Sequence, residues 1–261
     1  LGKDKKEQIM YNRVIIALLI SFSSFGAFAD TTAKQPLQLV WPFEGIFGTF
    51  DRQAAQRGAQ VYFEVCSACH SNHNLYYRNL KDIGFSEAEI KQLAQKYTVK
   101  DGPNAEGEMF DRPALPSDRF VSPYPNEEAA RAANNGAYPV DLSLIIKARH
   151  DGPNYVFSLL SGYQEAPADI KLMPGLYYNP YFEGGQIAMP PPLTQGQVTF
   201  SDNTPATVEQ MAKDVVVFLQ WAAEPEMEHR KSIGLKVMIF LLVFTVFLKK
   251  KKKKIWKNLS K

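Results

Sequence analysis

The sequence predicts a mainly α-helical exported domain with long ordered loops, carried on one C-terminal transmembrane helix. Three observations predict it. Apolar residues recur at helical spacing in several segments that carry cap signals. Stretches rich in Pro and Gly lie between them, with 17 Pro and 16 Gly in 261 residues. An apolar run near each end of the chain is flanked by basic residues.

In chain order, the first element is a leader. From Met10 the chain reads MYNRVIIALLISFSSFGAFAD. Arg13 supplies a positive n-region, Val14 to Phe25 a short apolar run, and Ala27-Phe28-Ala29 a small-x-small cleavage site before Asp30, the three-part layout of a secretory signal peptide. The run is too short for a comfortable span. Residues 1–29 are therefore expected to be leader and signal peptide, with Leu1 to Ile9 as upstream translation. An apolar core helix is the plainer alternative. The absence of an Arg- and Ser-rich transit pattern favours bacterial export over organelle import.

Asp51 to Cys69 reads as a helix, with Ala54, Ala55, Gly58, Val61, Tyr62 and Val65 on or near one face. Ser86-x-x-Glu89 opens a second helix with a capping box. DGPN occurs at Asp101 and again at Asp151, read as repeated turn chemistry and not as a duplicated domain. Asn135-Gly136 is a helix stop. A hairpin is expected near Gln197 to Phe200. TPATVEQMAKDVVVFLQWAAEP, Thr204 to Pro225, is a strong helix: Thr207 and Gln210 form a capping-box pattern, and Val215, Phe218 and Leu219 an apolar face.

The last element is Ser232 to Leu248, followed by six lysines, Lys249 to Lys254. Seventeen helical residues make a rod of about 25 Å, near the lower limit for a span. Lys236 can snorkel and Trp256 suits an interfacial anchor. A lysine run directly after an apolar stretch marks the cytoplasmic side. The expected layout is an exported domain over 30–230 facing the periplasm, an anchor helix over 231–250 through the bacterial inner membrane, and a basic cytoplasmic tail over 251–261. Residues 30–230 hold 16 Lys/Arg against 25 Asp/Glu, a net −9 inside a chain of formal charge +3. The basic balance belongs to the ends, which argues against nucleic acid. The acidic body suits a soluble partner with a basic face, steered by long-range attraction. Solubility alone would also account for it.

Cys66 and Cys69 are the chain's only cysteines, and His70 follows directly. A disulfide across two intervening residues closes a small loop and stabilises little. A zinc site needs four ligands, and no second cysteine pair exists. A thioredoxin-like redox pair would expect a βαβ setting, which does not surround Val65. Covalent haem c fits: C-x-x-C-H places two thioether donors and one iron ligand on a single turn, with His70 as the proximal ligand. His73 reads as an exposed loop residue. Candidates for the sixth ligand are Met109, Met173, Met189, Met211, Met227, His150 and His229. Met211 sits on a helix face where methionine usually fills core. Met173 and Met189 both precede proline, and the stiff MPPP run favours Met189 as a thioether held at fixed distance. Met/His ligation raises the reduction potential.

Longer blocks carry a resemblance. ANNGAYPVDLSLIIKARHDGPNYVFSLLSGY (Ala133 to Tyr163), DGPNAEGEMFDRP (Asp101 to Pro113), YNPYFEGGQIAMPPPL (Tyr178 to Leu193) and MAKDVVVFLQWAAEPEMEHRKSIG (Met211 to Gly234) resemble the cytochrome c1 family, over nearly all of Pro36 to Lys257. The resemblance implies a cytochrome c-like helical domain around one covalent haem, with Met189 as axial ligand and Arg149 as partner of a haem propionate, a task its fork suits. It also implies that Asn134, Ala137, Pro139, Tyr155, Leu159 and Leu160 surround the haem. Their plainer roles are a helix end for Asn134, ordinary core for the leucines and a surface ion pair for Arg149. Pro139-Val140 departs from a pair of prolines common in the family. By the same resemblance the chain would receive single electrons from a Rieske iron–sulfur protein and pass them to a soluble or tethered cytochrome c, beside cytochrome b, in a dimeric complex that oxidises quinol. It would need no acid, base or nucleophile of its own. Another membrane-anchored haem subunit or tethered shuttle, and a tethered thiol–disulfide protein, are the rival readings.

Overall fold

The computed structural model describes residues 33–259. The signal peptide and cleavage site expected over 1–29 lie outside the described residues. Six α-helices carry the described fold: α1 (Arg52–Glu64), α2 (Glu87–Ala94), α3 (Glu127–Ala133), α4 (Gly152–Ser161), α5 (Val208–Ala223) and α6 (Met227–Leu259). Short 3-10 turns occur at Cys66–Ala68, Tyr77–Ile83 and Glu183–Gly185. Two small antiparallel hairpins, β1 (Thr98–Asp101) with β2 (Phe110–Pro113) and β3 (Tyr177–Tyr178) with β4 (Gln186–Ile187), complete the elements. The mainly helical class is as expected.

α1 starts where Asp51 accepts the Ala54 amide at 3.0 Å, satisfying one orphan donor. Its small face, Ala54, Ala55, Gly58, Ala59 and Val61, is buried and packs on α5. Small side chains let two helices approach closely, and α5 is buried along most of its length between α1 and α4. Arg57 of α1 reaches the buried Asp214 of α5 at 2.7 Å and also Asp202 at 2.8 Å. The Asp214 carboxylate holds the Arg57 guanidinium firmly charged, its pKa raised. An aromatic cluster continues the core: Tyr62 to Phe218 at 5.5 Å, Phe63 to Phe120 at 4.9 Å and Tyr77 to Phe120 at 5.0 Å.

Caps follow sequence with one exception. Ser86 and Glu89 close their box on α2. Thr207 accepts the Gln210 amide at 3.0 Å, but Gln210 turns its side chain to Asp214 at 3.0 Å, so the expected box at α5 is only half made. The buried carboxylate is the stronger acceptor. The hairpin expected near Gln197–Phe200 is a correction: no strand forms there. Val198 and Phe200 alternate because both plug the core from an extended loop, 4% and 3% exposed. The loop's groups bond elsewhere, Gln197 N to Thr194 O and Thr199 O to Gln60.

α6 is long and apolar enough to cross a membrane, with none of its apolar window buried against the domain. Its 33 residues would extend about 50 Å. It is pinned at its root. Glu228 pairs with Arg52 at 2.7 Å and accepts the Phe50 amide at 2.6 Å; Lys231 donates to the Phe43 carbonyl at 2.6 Å.

A pH dependence follows from these carboxylates. The Arg52 guanidinium, against partial burial, lowers Glu228, and Arg112, against burial, lowers Asp118. A depressed carboxylate contributes stability that is fully present above its ordinary value, about pH 4, and is lost as pH falls through the folded value. Thermal melting by circular dichroism should therefore hold level from neutrality to about pH 5 and fall steeply below pH 4. A melting temperature unchanged at pH 3 would remove these pairs from the account.

Candidate haem-binding site

α1 delivers the C-x-x-C-H turn. Past Glu64 the chain tightens into 3-10 geometry, and both Cys69 N and His70 N donate to the Cys66 carbonyl, at 3.1 and 2.8 Å. Cys66 is half-buried against the core and Cys69 is exposed. Burial, helped by Cys69, pushes the Cys66 thiol up to about 12. The thiol that attacks in a redox pair works by a depressed pKa, and Cys66 does not have one.

His70 Nδ1 lies 2.7 Å from the Val140 carbonyl oxygen. A carbonyl only accepts, so Nδ1 carries the proton and Nε2 keeps its lone pair. Burial lowers the His70 pKa against that carbonyl and Asp141, which favours the neutral ring a metal needs. The carbonyl does this task, and a proline in place of Val140 would offer the same group.

Asp141 fixes that carbonyl's position. Its Oδ2 accepts from Ser71 Oγ at 2.8 Å, the His73 amide at 3.0 Å and His73 Nδ1 at 2.6 Å, and its Oδ1 accepts the Ser143 amide at 2.9 Å. Burial raises Asp141, and bonds from Ser143, Ser71 and the His73 amide outweigh it, leaving the carboxyl below its usual value. Leu142 N to Ser71 O, at 2.8 Å, completes the zip between 70–74 and 139–143. His73 is exposed, as expected.

Asn134 caps α3, with Asn135 and Gly136 in the left-handed region at φ 52° and 86°. Its side chain donates to Tyr124 Oη at 3.0 Å and Ala130 O at 2.7 Å, and Ala137 N returns to Asn134 O. Tyr124, Ala130 and Pro139 line a hollow of about 110 Å³ that includes Cys69. On the other side stands α4. It buries Val156 and Phe157 and leaves Tyr155, Leu159 and Leu160 half-buried. Arg149 is exposed and donates to the Ala148 carbonyl at 3.0 Å; its charge acts on Tyr155, whose phenol is raised by burial against that charge. Leu160 and Tyr163 border a cavity of about 720 Å³, closed by Tyr178, Pro191 and Leu193. Met189, half-buried, is tied to α4 because Tyr163 Oη donates to its carbonyl at 3.0 Å. Met173 is 59% exposed, Met109 60%, while Met211 and Met227 lie in the core at 0% and 2%. His150 and His229 are exposed.

The larger cavity holds none of Cys66, Cys69 and His70. Met189 is not among its lining residues either. The residues present fit a haem on three counts. The imidazole is set to ligate through Nε2. α4 offers half-buried apolar side chains, and Tyr163 at its end ties it to the carbonyl of Met189. The amide of Asn72, two residues past His70, is buried with neither polar atom partnered among the described residues. Such an amide requires a polar atom of a bound group or an ordered water. Sequence reasoning missed Asp141 and Tyr163, which act through hydrogen bonds across many residues of chain.

A helical domain built on a C-x-x-C-H turn and ending in a membrane-capable helix falls in the class of c-type haem proteins. A sequence model of the Cytochrome C1 family matches residues 41–259. The chain is 54% identical over 226 residues to "Cytochrome c1 1, heme protein, mitochondrial" of Arabidopsis thaliana, covering 86% of this chain and 73% of that one. It is 47% identical to cytochrome c1 of Rhodospirillum rubrum, covering 84% and 87%, and 46% identical to "Cytochrome b/c1" of Bradyrhizobium diazoefficiens, covering 93% and 39%. The chain belongs to the cytochrome c1 family, the haem-carrying electron-transfer subunit of the bc1 complex.

Proposed function

We propose that this chain takes single electrons from a Rieske iron–sulfur protein and passes them to a soluble or tethered cytochrome c, beside cytochrome b in a dimeric quinol-oxidising complex. The observation that carries the reading is the His70 Nδ1 bond to the Val140 carbonyl, which leaves Nε2 free toward a metal. Cys66 and Cys69 would hold one haem c by thioether bonds, with His70 and Met189 as iron ligands. Bound haem would supply the one-electron chemistry. Arg149, with Tyr155 beside it, would meet a propionate, and Asn134, Ala137, Pro139, Leu159 and Leu160 would exclude water. Residues 30–230 would face the periplasm of a bacterial inner membrane, with 231–250 spanning it and 251–261 cytoplasmic.

Difference spectra of the chain purified in mild detergent test this. An ascorbate-reducible c band together with dithionite-reducible b bands is expected. A c band alone, in a preparation that retains its membrane neighbours, would favour a free-standing tethered carrier, and no haem at all would return Cys66 and Cys69 to thiol chemistry. The net −9 of residues 30–230 supplies a second expected outcome. Reduction of a basic acceptor should slow several-fold as salt rises and the Debye length shrinks from about 10 Å at 0.1 M toward 3 Å at 1 M. A rate indifferent to ionic strength would count against electrostatic docking.

A further inference from the structure

We infer that the loop around Ile46 and Phe47 is a second membrane contact, seated in the headgroup boundary of the bilayer that α6 crosses. The inference rests on that reading of α6.

Ile46 and Phe47 are 70% and 77% exposed, side by side at the tip of a tight loop. No charge occurs from Gly45 to Phe50. Glu44, the one charged residue of the tip, turns its carboxylate back toward the Trp41 amide at 3.4 Å. Below the tip the loop is closed by Glu44 N to Trp41 O and Thr49 N to Pro42 O, at 3.1 and 3.0 Å. Trp41, Phe43 and Phe50 are buried, so the neck is rooted in the core and only the tip stands clear.

The neck is fastened to α6 in a definite order. Phe50 and Arg52 bond Glu228 in its first turn. Phe43 and Gly48 both accept from Lys231 Nζ, at 2.6 and 3.2 Å, one turn further on. Three residues along a helix advance about 4.5 Å. The chain from 52 back to 48 therefore runs along the root of α6 toward the apolar stretch. Exposed apolar side chains of α6 begin two residues after Lys231 at Ile233 and run to Leu248. The neck of the loop is thus held within a turn of where the apolar residues of α6 begin, and an aromatic and an aliphatic side chain beside a lysine suit the headgroup boundary. Water would be a poor neighbour for both. An uncharged, exposed apolar tip fastened beside the root of an apolar α6 points to lipid as the occupant.

Site-directed spin labelling decides it. The haem-loaded full chain would be reconstituted in vesicles of phosphatidylcholine and phosphatidylglycerol, with nitroxide at Phe47→Cys, Leu241→Cys or Lys91→Cys. The parent chain, whose own cysteines are taken by haem under the proposed function, gives the background. Power saturation compares collision with oxygen, which partitions into lipid, and with a water-soluble nickel chelate. The oxygen-to-nickel ratio at 47 should exceed that at 91, on exposed α2, several-fold, and fall below that at 241. A ratio at 47 equal to that at 91 overturns the inference, as does shielding from both reagents, which would mean that protein covers the tip. A low ratio at 241 would instead overturn the membrane-crossing reading of α6, and the inference with it.

Discussion

Met189→Leu should leave the haem attached through Cys66 and Cys69 and lower its midpoint potential by a few tenths of a volt. Attachment depends on the two thiols and survives. The potential depends on axial ligation, which spans roughly 0.8 V across haem proteins, and a thioether sulfur raises it relative to a nitrogen donor. Leucine keeps the volume and removes the sulfur, so packing around Tyr163 and the proline run is disturbed little. The structure supports Met189 over its neighbour. Met189 is half-buried with its carbonyl held by Tyr163, while Met173 is 59% exposed in a loop whose amide hangs on Gln186 at 2.9 Å. A redox titration of the c band checks this. An unchanged potential would move the sixth ligand to Met173 or to a histidine, with His150 beside Arg149 the first to substitute.

What was readable in the sequence divides by distance along the chain. The C-x-x-C-H turn is legible as a candidate haem attachment in five contiguous residues. α1 declares itself by its face, and α5 by face and cap, because Thr207 bonds the amide three residues on. Groups that meet across long loops leave no such mark. Nothing local in Pro139-Val140-Asp141 says that one carbonyl will hold His70 and the next carboxylate will gather Ser71, His73 and Ser143. The hairpins show the limit from the other side. Gln197 to Phe200 alternates and is no strand, whereas Thr98–Asp101 and Phe110–Pro113 are polar and exposed along much of their length and still pair. Charges pair across them, Lys100 with the directly opposite Asp111 at 3.0 Å and Arg112 with Asp101. Periodicity reports burial of side chains; it does not report which backbone finds a partner.

Gly58→Ala should cost most of the fold's stability, and with it haem incorporation. An added Cβ would stand 2.0 Å from the Asp214 carbonyl oxygen and 2.8 Å from Phe218 Cβ. Neither is the movable end of a flexible side chain, so α1 and α5 would have to separate. Overpacking of a core commonly costs about 1–3 kcal/mol and more where backbone must move. Separation would also pull Arg57 from Asp214, and breaking such a buried pair costs about 3–5 kcal/mol. Against a total of roughly 5–15 kcal/mol for a domain, the two together are decisive. The consequence reaches the candidate site because α1 ends in the C-x-x-C-H turn, while α5 leads through Glu224 into the root of α6. Expressed beside the parent chain, the variant should yield far less haem-stained protein and a melting temperature lower by ten degrees or more. The same yield and melting temperature would show that the crossing is looser than these contacts require, and that α1 can shift without losing the turn it carries.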